Sequence, residues 1–82
     1  MNTCIQRINK YLSDTGITLT ELHHETLIPL QALQDIMSGA KQPTYMQCLI
    51  IVNKICKRYP VAEHWNIYHD IIVQPIFEDK TQ

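Results

Sequence analysis

Residues 18–43, TLTELHHETLIPLQALQDIMSGAKQP, read as two short helices joined by a tight turn. Thr18 stands three residues before Glu21, the spacing of a capping box. In that device the hydroxyl accepts from an amide of the first turn and the carboxylate reaches back to the cap. A helix therefore starts near Leu19, with Leu19, Leu22, His23 and Thr26 inward and Thr20, Glu21 and His24 toward water. On the inward side His23 is expected to be partly buried with a hydrogen-bond partner. Proline is tolerated only at the beginning of a helix, so Pro29 marks a second start. Residues 30–38 then form a helix with Leu33, Ile36 and Met37 as its buried stripe, and Gly39 supplies a left-handed stop.

Working outward, Thr3 is placed to cap a first helix reaching about residue 13. There Ile5, Ile8 and Leu12 repeat at helical spacing while Gln6, Arg7, Asn9 and Lys10 cover the remainder. Asp14, Thr15 and Gly16 close it, and Ile17 acts as a hydrophobic staple before Thr18. On the other side, Pro43 and Thr44 open a longer helix to about residue 58, with Tyr45, Cys48, Leu49, Val52, Ile55 and Cys56 inward. Lys54, Lys57 and Arg58 suit the negative end of its dipole. Pro60 restarts the chain. Val61, Trp65, Tyr68 and Ile72 then predict a fifth helix to about residue 70, anchored by Trp65. Residues 71–77, IIVQPIF, are rich in β-branched residues and interrupted by Pro75, so an extended segment is expected there. The organisation predicted is a helical domain over residues 1–72 and a C-terminal tail over 73–82.

Eighty-two residues make one domain, and a chain this short buries only about 60–65 % of the surface its unfolded form exposes. Its formal net charge is −1 and its pI about 6.4, low for a protein whose main partner is a polyanion. Three cysteines, with no charged n-region ahead of an apolar h-region, point to a reduced, cytoplasmic protein rather than a disulfide framework. No apolar run approaches membrane-spanning length, so no membrane partner is expected.

Residues 19–43 resemble the helix-turn-helix of the lambda-repressor-like family, the Cro and XRE regulators, without a gap. The matching positions are Leu19, Glu21, Leu22, Thr26, Ile28, Leu33, Ile36, Gly39 and Pro43, and Leu49, Ile51 and Ile55 continue the pattern. The resemblance covers roughly residues 5–55. Three positions depart from it: His23 where the family has alanine, Leu27 where its turn has glycine, and Pro29 where it has a small capping residue. The fold it implies is all-α, a compact five-helix domain, here followed by the short extended tail.

The function it implies is a sequence-specific DNA-binding transcriptional regulator whose third helix enters the major groove of double-stranded DNA. On that helix Leu30, Gln31, Gln34 and Asp35 would read base edges. Glutamine pairs with adenine in bidentate fashion, and a carboxylate accepts from cytosine. Arg7, Lys10, Thr18, Ser38, Lys41, Gln42 and Thr44 would contact the phosphate backbone. Trp65, Tyr68, Ile72, Ile76 and Phe77 would join two copies as a homodimer, matching paired half-sites. Over residues 18–43 three acids and Lys41 leave a formal balance of −2, which opens a second reading. In it the same face binds a protein partner such as another regulator, and the chain does not touch DNA.

Catalysis and metal binding find little support in the residues. Cys48 and Cys56 are eight apart, and His64 and His69 five apart, neither a zinc spacing. With two glycines there is no phosphate-cradling loop. Cys4, Cys48 and Cys56 read as small buried hydrophobes, His24, His64 and His69 as surface groups. Neither an enzyme nor a cofactor is expected.

Overall fold

The computed structural model describes residues 3–76, with five α-helices and, among the described residues, no strand. They are α1 (Thr3–Thr15), α2 (Leu19–Thr26), α3 (Leu30–Ser38), α4 (Tyr45–Cys56) and α5 (Val61–Tyr68). α5 runs on without a break into a π-helical turn, His69–Val73, and residues 74–76 remain helical. Thr3 is the first helical residue of α1; its side chain, and with it the expected cap, lies outside the described residues.

α4 lies at the centre and packs against α1, α2, α5 and the π-helical turn. Ile8, Leu22, Leu33, Ile51, Val52, Ile55 and Ile71 are almost completely shielded from water. At about 25 cal/mol per Å² of apolar surface, such residues carry most of the stability of a chain this short. Local punctuation falls where expected. Gly16 takes φ 75° as its amide donates to Leu12 O at 2.9 Å, so α1 ends two residues later than its pattern suggests. Thr44 opens α4 with a complete capping box: its hydroxyl accepts from Gln47 N–H, and Gln47 Oε1 accepts from Thr44 N–H.

Three expectations are corrected, two of them in the C-terminal part. Trp65 does not anchor α5: it is 66 % exposed and Val61 82 %, and the buried positions are instead Ile67, Ile71, Ile72 and Pro75. Two helical faces one residue apart both carried apolar side chains, and the aliphatic one fits the core. Tyr45 likewise points outward from α4, with its hydroxyl 3.3 Å from Tyr68 Oη, while Ile51 takes the inward place. Residues 71–76 are helical rather than extended, so a boundary at residue 72 falls inside a helix. Burial of Ile71 and Ile72 against α1 and α4 outweighs their β-branched preference, which is worth well under 1 kcal/mol per residue.

Pro75 is tolerated in that helix for an identifiable reason. Gln74 N–H donates to His69 O, the wide five-residue register of a π turn. In that register the next donor would be the amide of residue 75 toward Asp70 O, and proline has none. Asp70 O accepts instead from Arg7 Nη1 at 2.8 Å, with Arg7 Nε 3.7 Å from Asp70 Oδ1. Arg7 thus restores the hydrogen bond that Pro75 removes, and ties α1 to the end of the chain.

Tyr11 completes the clamp, its hydroxyl donating to Asp70 Oδ2 at 2.9 Å and its ring lying edge-on to Tyr59. Burial first, and then the bond to Asp70, push its pKa up to about 12. A phenol with a raised pKa in the folded chain stabilises fully below its unfolded value of about 10, and that contribution fades as pH rises toward about 12. The thermal stability of the native chain should therefore exceed that of Tyr11→Phe at neutral pH, with the advantage shrinking above about pH 10. An advantage constant up to about pH 12 would contradict this linkage.

Candidate nucleic-acid interface

The α2–turn–α3 unit is built from short-range hydrogen bonds. Thr18, extended at φ −86° and ψ 161°, accepts from Glu21 N–H at 3.1 Å and starts α2. The other half of the expected capping box is absent from this pairing, because the Glu21 carboxylate accepts from Arg58 Nη2 at 3.1 Å across the fold. The Glu21 carboxylate of α2 therefore sits beside a cation from the end of α4, so the unit is less negative than residues 18–43 alone indicate. Arg58 was readable only as a dipole partner of its own helix.

Leu27 makes the turn in the left-handed conformation, φ 62° and ψ 10°, a state that costs a leucine roughly 1–2 kcal/mol. Three hydrogen bonds hold it there. Leu27 N–H donates to His23 O at 2.9 Å, Ile28 N–H to Thr26 Oγ1 at 3.2 Å, and His23 Nδ1–H to Ile28 O at 2.7 Å. His23 is half-buried, as expected, and its ring spans the turn. Leu27 itself is 84 % exposed and buries nothing in return. Leu27→Gly should therefore stabilise the fold by about 0.5–1 kcal/mol, the relief of left-handed strain less glycine's extra unfolded freedom. A urea midpoint lower than that of the native chain would refute this account of the turn.

Pro29, at φ −55° and ψ 140°, leads directly into α3, where Leu33 N–H donates to Pro29 O at 3.0 Å. Leu33 and Ile36 lock the inner face into the core, with Met37 half-buried beside them. The outer face carries exposed Gln31, Gln34 and Ser38, with half-buried Leu30 and Asp35. Gln31 Nε2 donates to Asp35 Oδ1 at 3.1 Å, one helical turn away. An amide nitrogen has two hydrogens, so Gln31 keeps one donor and its carbonyl oxygen for an outside partner, with its plane oriented by Asp35. Ser38 Oγ donates to Asp35 O and accepts from Ala40 N–H, Gly39 stops the helix at φ 85°, and Lys41 N–H returns to Asp35 O. The loop after α3 is thus held by its own backbone, with Lys41 and Gln42 exposed.

The remaining backbone candidates divide. Lys10, Thr18 and Thr44 are exposed, and each threonine uses its hydroxyl oxygen as a cap acceptor while the hydroxyl hydrogen remains a donor. Arg7 is committed to Asp70 instead. Of the dimer candidates, Trp65 and Ile76 are exposed, Tyr68 is half-buried, Ile72 belongs to the core, and Phe77 lies outside the described residues. Trp65 stacks on Tyr68 with ring centroids 5.9 Å apart. Among the described residues no group of three or more His, Cys, Asp or Glu could hold a metal ion, and no helix is long and apolar enough to cross a membrane. Compared with protein-family models, with curated proteins and with solved structures, the chain matches none.

Proposed function

We propose that the chain is a DNA-binding transcriptional regulator of the lambda-repressor-like type, with α2 and α3 as its helix-turn-helix and α3 as the element that enters the major groove. The observation that carries the reading is the outer face of α3: Gln31, Gln34, Asp35 and Ser38 project from a helix whose inner face is fixed by Leu33 and Ile36. A nine-residue helix with polar groups one turn apart fits a groove about 12 Å wide. The Glu21–Arg58 pair supports it by offsetting a charge that would repel phosphate. Lys10, Thr18, Lys41, Gln42 and Thr44 remain the backbone contacts in this reading.

Paired half-sites call for two copies, and the surface of exposed Trp65 and Ile76 with half-buried Tyr68 is the one assigned to that contact. A second reading, a protein-interaction module, is favoured by a different observation: Leu27, exposed at the corner of the unit, offers an apolar contact that DNA does not require.

Selection from a random duplex library at low salt tests the proposal. Enrichment of one motif, bound by a chain that sediments as a dimer at about 10 µM, is the expected result. Failure to enrich any motif, with a stoichiometric protein complex lost in Leu27→Glu, would replace it by the second reading.

A further inference from the structure

Cys4 of α1 and Cys48 of α4 stand 44 positions apart in sequence, yet their sulfurs are 3.5 Å apart. Both are reduced, and both line a pocket of about 130 Å³ bounded also by Pro43, Tyr45, Ile71, Ile72, Pro75 and Ile76. The pocket is open to solvent, although the two residues are only 8 % and 7 % exposed. Several water volumes, at about 30 Å³ each, fit within it, so a small peroxide reaches sulfur where a bulky reagent does not. Three observations coincide: a close dithiol, an apolar wall, and an opening. None is needed by the α2–turn–α3 surface.

We propose that Cys4 and Cys48 form an oxidisable dithiol site that takes a small hydroperoxide from solution and closes to an intramolecular disulfide between α1 and α4. Either sulfur can donate across the 3.5 Å contact. The hydrogen bond with Cys4 lowers the Cys48 pKa against the opposing effect of burial; Cys48 is taken as the attacking sulfur, and the reverse order gives the same disulfide. Cys48 sulfur, as thiolate, displaces hydroxide from the peroxide: an S–O bond forms, the O–O bond breaks, and the hydroxide takes up the proton the thiol released to become water. Cys4 sulfur then attacks Cys48 sulfur, the S–O bond breaks, and the departing hydroxide leaves as a second water with the Cys4 proton. Two thiols are oxidised by two electrons and hydrogen peroxide is reduced to two waters; an alkyl hydroperoxide would give an alcohol in place of the first water. Cys56 stands apart from this chemistry, buried with a pKa raised by burial and absent from the pocket lining.

The test uses the full reduced chain and hydrogen peroxide, followed by denaturation, alkylation of remaining thiols and intact-mass measurement. The expected product has lost two hydrogens, carries a single alkylated thiol at Cys56, and yields a linked peptide joining Cys4 to Cys48. Reduction should restore three alkylatable thiols. Arsenite, small enough to enter the pocket, bridges two adjacent thiols with loss of water and should bind one to one and block the oxidation. Cys48→Ala should abolish both reactions and Cys56→Ala neither. Should a variant fail to fold, the linked-peptide map of the native sequence still decides. Three unmodified thiols after peroxide, oxygen addition without a linkage, or a linkage that includes Cys56 would overturn the assignment.

Discussion

Arg7→Ala should lower the unfolding free energy by about 2–3 kcal/mol, a large share of what an 82-residue domain possesses. The guanidinium makes a charge-assisted hydrogen bond to Asp70 O and lies beside the Asp70 carboxylate, and both interactions join parts of the chain 63 positions apart. The carbonyl needs this partner because Pro75 supplies no amide, so the substitution leaves a part-buried acceptor unpaired. A double-mutant cycle isolates the cause. In Pro75→Ala the new amide can donate to Asp70 O, and Arg7→Ala should then cost only about half as much. Urea unfolding of the four chains is the measurement. A loss below about 0.5 kcal/mol for Arg7→Ala, or the same loss in both backgrounds, would reject the explanation. The same variant bears on function. A backbone-contact role for Arg7 would appear as weaker DNA binding with stability intact, and the pairing with Asp70 predicts the reverse.

Gln31→Ala and Gln34→Ala should each reduce affinity for a selected operator by roughly 10- to 100-fold while barely changing affinity for random duplex. Lys41→Ala should weaken binding to every sequence alike, because a phosphate contact carries no base information. Asp35→Asn should behave in a third way. It removes a negative charge from the groove-facing side yet keeps an oxygen to accept from Gln31, so random-duplex affinity rises by about fivefold at low salt and the operator preference is retained. Asp35→Ala, which abolishes that acceptor, should lose operator affinity as Gln31→Ala does. The salt slope of the native chain should be shallow, corresponding to about three to five phosphates, since so few cations are available. Titrations on the operator and on a scrambled duplex at two or more salt concentrations read all of these. Equal losses on both duplexes for Gln31→Ala and Gln34→Ala would end the claim that α3 reads bases.

The helices and their ends were legible because their causes are local. Thr18, Gly16, Pro29, Gly39 and Thr44 act within four residues, and α2 begins, and α3 begins and ends, where those signals stand. Leu22, Leu33 and Ile36 were readable as core since each helix carries a single apolar stripe. α5 was not, because Val61, Trp65 and Tyr68 on one face competed with Ile67 and Ile71 on the next. Only the space left by α1 and α4 chooses between them. The bend at Leu27 was visible as a conflict with the residue type, but its resolution needed the His23 ring reaching five residues forward. Residues 71–76 were misread as extended because intrinsic preference is weak beside burial and because the partner of Asp70 O is remote. By itself the sequence determined the five helices, most of their ends and most of the core. The tertiary structure alone decided what lies far apart in sequence and close in space: Arg7 on Asp70, Glu21 on Arg58 and Cys4 on Cys48. Hydrogen bonds and ion pairs of that kind depend on how helices pack, and no periodicity along the chain records their partners.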